Sequence, residues 1–375
     1  MKIAFAYDSA YPWFNGGIER RRLIIAEEFL KRGHELHFFT MYREGMPSND
    51  FIHGGIHYHC VASAVPASRM YINGKRNAWW AMKYGFMLFF AMLPYRFDFV
   101  DSDSFPFFHV FGIWAYCRIR HSRFIMTWHE VWTKQYWKEY TKSSVQGSIG
   151  YWIEKLAART TDRFIANSDS TMEGLVREFG ADRKNIKVVR AGVSSDEVRK
   201  HRSARKLRRR FLIIGRLIPE KRVDVAIRAM RNVNAELLVA GSGPERAALE
   251  RMAKREGVSG KVIFRESLSR KELMRQMESA TALIITSARE GLSMVAAEAI
   301  CSGTPVMITE KTMLPPEVRR MCTMVKENTL GKALSDSAGN AQKLRHAASR
   351  HTPAAIRMFS ASGAVQAYLS LLRGT

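Results

Sequence analysis

The sequence predicts an α/β protein built from two doubly wound parallel-sheet domains. At 375 residues the chain is too long for one ordinary core and suits two. Residues 282–308, ALIITSAREGLSMVAAEAICSGTPVMI, read as a buried strand, a turn, a capped apolar helix and the start of another strand, the repeat of a parallel sheet. The opening of the chain has the same grammar: Lys2–Tyr7 as a buried strand, a loop over Asp8–Asn15, a long amphipathic helix from Gly16-Gly17 to Lys31-Arg32-Gly33, and a second strand at Leu36–Thr40.

The 282–308 unit carries the chemistry. Glu290 falls in the turn after the strand, where ligands of parallel sheets bind, and Ser293 caps the helix whose free N–H groups face that edge. Glu298 lies about two turns into the helix among Val295, Ala296, Ala297, Ala299 and Ile300; a carboxylate in such company requires a partner. One acidic group can meet the reacting part of a ligand while the other holds hydroxyls farther along it. The plainer alternative makes Glu298 a solvated helix residue and Glu290 a loop residue.

Glu290 and Glu298 with seven residues between them, followed by SGTPV, resemble the E-x7-E signature of retaining nucleotide-sugar glycosyltransferases of family 4, the "group 1" family with the GT-B fold. The run GGIERRRLIIAEEFLKRGHELHFFT is similar to the family's opening, and Gly215-Arg216-Leu217-Ile218-Pro219-Glu220-Lys221-Arg222 to its G-R-L-x-x-E-K-G, with Arg222 in place of the last glycine. Gly241-Ser242-Gly243-Pro244 matches its G-x-G-P. The resemblance implies two Rossmann-like domains facing across a cleft: residues 1–192 on the acceptor side, 193–354 on the donor side, and a closing helix at 355–375 that returns to the first domain. It implies catalytic roles for Glu290, His129, Arg216 and Lys221. Donor contacts are implied for Gly16, Gly17, Gly215, Gly241, Gly243, Glu290, Gly291, Leu292, Ser293 and Glu298. Arg216 as a fork and Lys221 as a point charge stabilise the departing diphosphate, so no metal and no cofactor are expected. Where the family reads P-N-G-V, this chain has Arg190-Ala191-Gly192-Val193.

Between these landmarks, strands are expected at Phe97–Asp101, Phe124–Thr127 and Arg163–Ala166, and helices at Gly150–Arg159 and from Asn167-Ser168 onward. His129 leaves the second of these strands at the carboxyl edge of the sheet, and the family places its donor-site histidine in a similar THE/THD sequence. The following residues Trp132, Tyr136, Trp137 and Tyr140 suit sugar stacking, a lipid headgroup region or a packed aromatic loop. In the second half, strands are expected at Phe211–Ile214, Glu236–Ala240 and Val262–Phe264, with helices at Val223–Arg231 and Arg270–Glu278.

The formal net charge of +24 calls for an anionic partner. Arg199–Arg210, RKHRSARKLRRR, is the most basic run and reads either as a solvated linker or as a clamp on anionic lipid. No nucleic-acid module accompanies the charge, so nucleic acid is the weaker expectation. Ala78–Leu93 is the most apolar stretch; its 16 residues are short of the ~20 a span needs, and it is expected to cover the sheet, with Trp79 and Trp80 able to reach a membrane interface. Cys60, Cys117, Cys301 and Cys322 are scattered and read as reduced residues of a cytoplasmic protein, peripheral on the cytoplasmic face of the membrane. The resulting expectation is transfer of a hexose-type sugar, with retention, from a nucleotide-diphosphate donor to a lipid-linked or membrane-surface glycan acceptor. The rivals are a nucleotide-sugar epimerase of the same fold and a non-catalytic basic binding protein.

Overall fold

The computed structural model describes residues 1–14, 16–62, 71–72, 75–190, 192–194, 207–266, 268–288 and 290–373, except for the side chains at 71, 72, 75 and 76. Residues 199–206 of the basic run, together with Asn15, Ala191 and Arg289, lie outside the described residues. The chain forms two compact units, Met1–Gly192 with Ala361–Thr375, and Val193–Ser360. The chain thus crosses for the second time after Ser360, six residues beyond the expected 354/355 boundary, and the helix Thr352–Phe359 stays with the second unit.

In the first unit the strands are β1 (Lys2–Ala6), β2 (Glu35–Thr40), β3 (Asp50–His53), β4 (Ile56–Cys60), a two-residue hairpin of β5 (Tyr71–Ile72) and β6 (Lys75–Arg76), β7 (Phe99–Asp103), β8 (Arg123–Trp128), β9 (Phe164–Ala166) and β10 (Ile186–Val188). Eight of them form one sheet in the order β10-β9-β8-β7-β1-β2-β4-β3. All neighbours are parallel except β3 and β4. Strand β7 runs two residues later than the sequence placed it. Hydrophobicity alone reads Asp101 and Asp103 as an exit from the strand, but both side chains are buried against Arg22, so the strand continues through them. The helix expected at Gly150 starts at Ser144: Ser143 caps it by accepting from the Gln146 N–H, and Gly147 and Gly150 let it close onto the backbone of Lys138 and the ring of Trp137. The last helix, Ala361–Arg373, buries Val365, Tyr368 and Leu372 in the core with Phe5, Phe29 and Phe99.

The second unit has β11 (Arg210–Ile214), β12 (Glu236–Ala240), β13 (Val262–Arg265), β14 (Ala282–Ile285), β15 (Val306–Thr309) and β16 (Thr323–Val325), all parallel, in the order β13-β12-β11-β14-β15-β16. The order reverses between β11 and β14. At such a switch point the two connections leave in opposite directions and open a crevice at the carboxyl ends of the strands. The expected helix at Val223–Arg231 is shorter, Val223–Ala229.

Gly215, Gly241 and Gly243 all sit at φ near +153°, which side chains rarely adopt. A Cβ on Gly241 would run into the Gly215 carbonyl and one on Gly243 into the Leu217 carbonyl. The two loops that leave β11 and β12 are therefore laid against each other, held by Gly215 N–H to Ala240 O (3.0 Å) and Leu217 N–H to Ser242 O (2.7 Å).

Three helices on the first unit leave apolar side chains in water. Ala78–Met92 buries Tyr84, Leu88 and Met92 but exposes Trp79, Met82, Phe86 and Phe90, one row at helical spacing. Ser144–Ala158 exposes Val145, Ile149, Trp152 and Leu156 in the same manner, and Phe108–Arg120, which touches both helices, exposes Trp114 and Ile119. Lys83 lies over the Trp80 ring and Lys155 over the Trp152 ring. Among the described residues no helix is long and apolar enough to cross a membrane.

Candidate active site

In the second unit Gly215, Arg216, Lys221, Glu290 and Ser293 of the residues singled out from sequence meet at the switch point, while Gly241, Gly243, Gly291, Leu292 and Glu298 do not line the crevice. Gly215, Arg216 and Lys221, which follow β11, line one small crevice with Thr286, Ser287, Glu290 and Ser293, which follow β14. Lys221 Nζ donates to Glu290 Oε1 at 2.6 Å, and Ser287 Oγ donates to the same oxygen at 2.7 Å. The turn is fixed by its backbone: Ala288 N–H donates to Glu220 O and Glu290 N–H to Met313 O, both at 3.0 Å. Thr286 Oγ donates to Lys221 O at 2.9 Å, so the loop carrying the lysine and the loop carrying the carboxylate are tied directly. Arg216 is exposed, and among the described residues its guanidinium has no ion-pair partner. A free guanidinium and an ammonium at one crevice are suited to an anion with several oxygens.

Gly291 and buried Leu292 complete the turn before the helix Met294–Cys301, and Ser293 caps that helix by accepting from the Ala296 N–H at 3.4 Å. Glu298 is buried and has the partner its apolar neighbours required. Arg270 NH1 donates to Oε2 at 2.9 Å and Arg270 NH2 lies 2.8 Å from Oε1, a two-pronged fork. Sequence reasoning missed Arg270 because it begins another helix, Arg270–Ser279, where an arginine after a capping serine looks like a solvated residue. Arg222, where the family has glycine, adopts left-handed backbone at φ 49°, which explains that glycine. Here its guanidinium is held by Glu327 through two bonds of 2.6 and 3.0 Å.

A wider concavity of this unit lies elsewhere, at the amino ends of the strands around Arg209, Asn232, Lys261 and Arg275. Of the sequence-predicted residues it holds the end of the basic run, Arg208–Arg210, and none of the catalytic or donor-binding ones, and it lies on the opposite edge of the sheet from the one where ligands of parallel sheets bind.

In the first unit His129 follows β8 at the carboxyl edge, with Nε2 2.5 Å from Asp103 Oδ1 at the end of β7. An ionised carboxylate only accepts, so Nε2 carries a proton toward Asp103 and the ring is oriented by that bond. Arg22 Nε donates to Asp103 Oδ2 at 2.7 Å and its NH1 pairs with Asp101. Asp101 also accepts from Thr127 Oγ at 2.9 Å and from Tyr368 Oη at 2.6 Å. Burial pushes Asp103 up, but Arg22 and His129 together hold it well below the usual carboxylate range. Sequence reasoning found His129 and missed Arg22, Asp101 and Asp103. The available signal was two carboxylates at i and i+2 in an otherwise apolar strand, FVDSDSF, which places both on one face.

Gly16 caps the helix Gly17–Lys31 in extended backbone, and the Glu19 carboxylate folds over it. The aromatic segment after His129 is packed together: Trp132 lies against Trp137 and Tyr140, and buried Glu154 accepts from Trp132 N–H at 2.9 Å and Trp137 Nε1–H at 2.5 Å.

Two doubly wound units, with the acidic pair and the cations at the switch point of the second, define the GT-B glycosyltransferase architecture. Residues 15–197 match the family model for glycosyltransferase family 4, and residues 194–328 the model for glycosyl transferases group 1. The chain belongs to these group 1, family 4 glycosyltransferases. It is 32% identical over 191 residues to D-inositol 3-phosphate glycosyltransferase of Streptomyces bingchenggensis, a match covering 44% of this chain and 42% of that one. An uncharacterised glycosyltransferase of Methanocaldococcus jannaschii is 29% identical over 173 residues, covering 42% and 44%. The chain thus spans about two-fifths of the length of the curated relatives it matches. Among solved structures, sucrose-phosphate synthase from Thermosynechococcus elongatus superimposes over 100% of both chains with a TM-score of 0.79 at 15% identity. Anabaena HepE in complex with UDP does so over 100% of both chains with a TM-score of 0.71 at 15% identity. WaaG, a glycosyltransferase involved in lipopolysaccharide biosynthesis, gives 0.68 at 17% over 95% of this chain and 99% of that one. At these identities the likeness establishes the fold.

Arg22 is the hub of the buried network in the first unit. Arg22→Met leaves Asp101 and Asp103 buried without their cation and lowers unfolding stability by about 3–5 kcal/mol, read from urea denaturation.

Proposed function

We propose that this protein transfers a hexose-type sugar, with retention at the anomeric carbon, from a nucleotide-diphosphate donor to a lipid-linked or membrane-surface glycan. The observation that carries the transfer reading is the meeting of Arg216, Lys221 and Glu290 at the switch point of the second unit. The family to which the chain belongs, and HepE, solved in complex with UDP and with UDP-glucose, support a sugar nucleotide as donor. Retention rests on the family likeness.

Breaking the bond between sugar and diphosphate leaves negative charge on the leaving group. Arg216 grips it as a planar fork and Lys221 as a mobile point charge, both from residues that line the crevice. Lys221 holds Glu290. As the diphosphate engages the ammonium, the carboxylate is released to accept hydroxyl protons of the sugar. Glu298, held at both oxygens by Arg270, keeps further lone pairs with which to accept ribose hydroxyls. In the second unit the helix behind Ser293 adds N–H dipoles for the phosphates; in the first unit the Gly16–Gly17 amides are donors for an anion, and His129, oriented by Asp103, is a hydrogen-bonding partner for a sugar hydroxyl. The residues Gly215, Gly241, Gly243, Gly291 and Leu292 shape the donor loops. In this scheme the cations and dipoles carry the developing charge without a metal ion.

The membrane reading is supported by the exposed rows Trp79–Met82–Phe86–Phe90 and Val145–Ile149–Trp152–Leu156, by Lys83 and Lys155 beside them, and by the net charge of +24. Apolar rows flanked by amines match the interface of an anionic bilayer, where aromatic rings sit at headgroup depth and each amine contributes ~1 kcal/mol.

A panel of sugar nucleotides incubated with membrane extracts, with mass analysis of the product, tests the activity and separates transfer from epimerisation. Arg216→Ala and Lys221→Ala each lower turnover by ~100-fold or more; near-normal rates would remove them from the site. In liposome flotation the protein floats with anionic vesicles, release follows added salt, and Phe86→Asp weakens the association.

A further inference from the structure

Strands β2 and β4 run side by side with His37 opposite His57. Residues two apart in a strand share a face, so Glu35 and His37 from β2 join His57 and His59 from β4 on one side of the sheet. One ligand atom from each of Glu35, His37 and His57 lies within 4.8 Å of the others. His37 Nε2 is 2.9 Å from Glu35 Oε1, His37 Nδ1 is 2.8 Å from His59 Nε2, and His59 Nδ1 is 2.6 Å from Asp50 Oδ1. Tyr95 Oη, at 3.5 Å from the same His59 nitrogen, is too far to replace Asp50.

With an ion beside Glu35 and His37, His37 Nε2 turns its lone pair to the ion, Nδ1–H donates to His59, and His59 Nδ1–H donates to Asp50. That is the arrangement in which a ligating histidine is oriented by a partner on its other nitrogen.

We infer that Glu35, His37 and His57 form a binding site for a divalent transition-metal ion, with His59 and Asp50 as the positioning residues behind it. Two imidazoles and one carboxylate suit zinc and its neighbours in the series, and leave a fourth position for water. Lys2, whose Nζ lies 3.0 Å from Glu35 Oε1, must leave, and its side chain is about one-third exposed at 34% and can swing into solvent. The site lies near the amino ends of β1 and β2, the opposite edge of the sheet from Asp103 and His129, so its role is to fasten the β3–β4 edge hairpin to β2 and not to take part in sugar transfer.

The test is calorimetric titration of the metal-stripped full chain with zinc chloride, paired with thermal melting. One zinc binds per chain and raises the melting temperature. His57→Ala weakens binding by more than ~10-fold and Asp50→Asn by ~10-fold, on the scale of lost outer partners. Lys2→Gln tightens binding, because it removes the competing amine. No saturable zinc binding, or binding undiminished in His57→Ala, overturns the site. Should His57→Ala fail to fold, zinc affinity unchanged in both Asp50→Asn and Lys2→Gln overturns it equally.

Discussion

The contact between Lys221 and Glu290 is the constraint on which the proposed donor site depends. It joins the loop that leaves β11 to the loop that leaves β14, the two strands between which the sheet changes direction. The ammonium compensates a carboxylate that is only 12% exposed, and Ser287 shares the load. In the proposed reaction the same ammonium exchanges that carboxylate for phosphate oxygens, so the cation that holds the two loops together becomes the one that receives the leaving group. Arg216, free of ion pairs among the described residues, needs no such exchange and can meet the diphosphate first.

The first unit solves a different problem with similar parts. Asp101 and Asp103 are fully buried, which costs several kcal/mol per charge unless each is paired and hydrogen-bonded. Arg22 from the first long helix, Tyr368 from the last helix and Thr127 from the neighbouring strand supply those bonds. The result is a fixed carboxylate under His129, which orients the ring. The identity of the histidine and its orientation therefore come from different stretches of the chain, 107 residues apart between Arg22 and His129.

Much of this was readable beforehand where chemistry and periodicity agree. The strand–turn–helix unit around Glu290 has apolar β-branched residues, a capping serine and a terminal Gly-x-Pro, and it folds as read. Glu298 was recognised as needing a partner, but nothing local pointed to Arg270, 28 residues earlier, because that contact exists only once β13 and β14 lie in one sheet. The FVDSDSF strand was cut short for a related reason: the carboxylates look like a boundary until Arg22 neutralises them. Glycine taught a further lesson at Gly241 and Gly243, where the requirement is a close approach of two loops, a fact of tertiary packing that GSGP on its own does not state.

The central claim is that the cations at this crevice hold a diphosphate. Calorimetric titration of the protein with nucleoside diphosphates, comparing the wild type with Lys221→Met, tests it without requiring the acceptor. At least one nucleoside diphosphate should bind the wild type and lose ~10-fold or more in affinity in the variant, with the loss shrinking as salt rises. Equal affinity in the two proteins, in the presence of normal folding, would contradict the account.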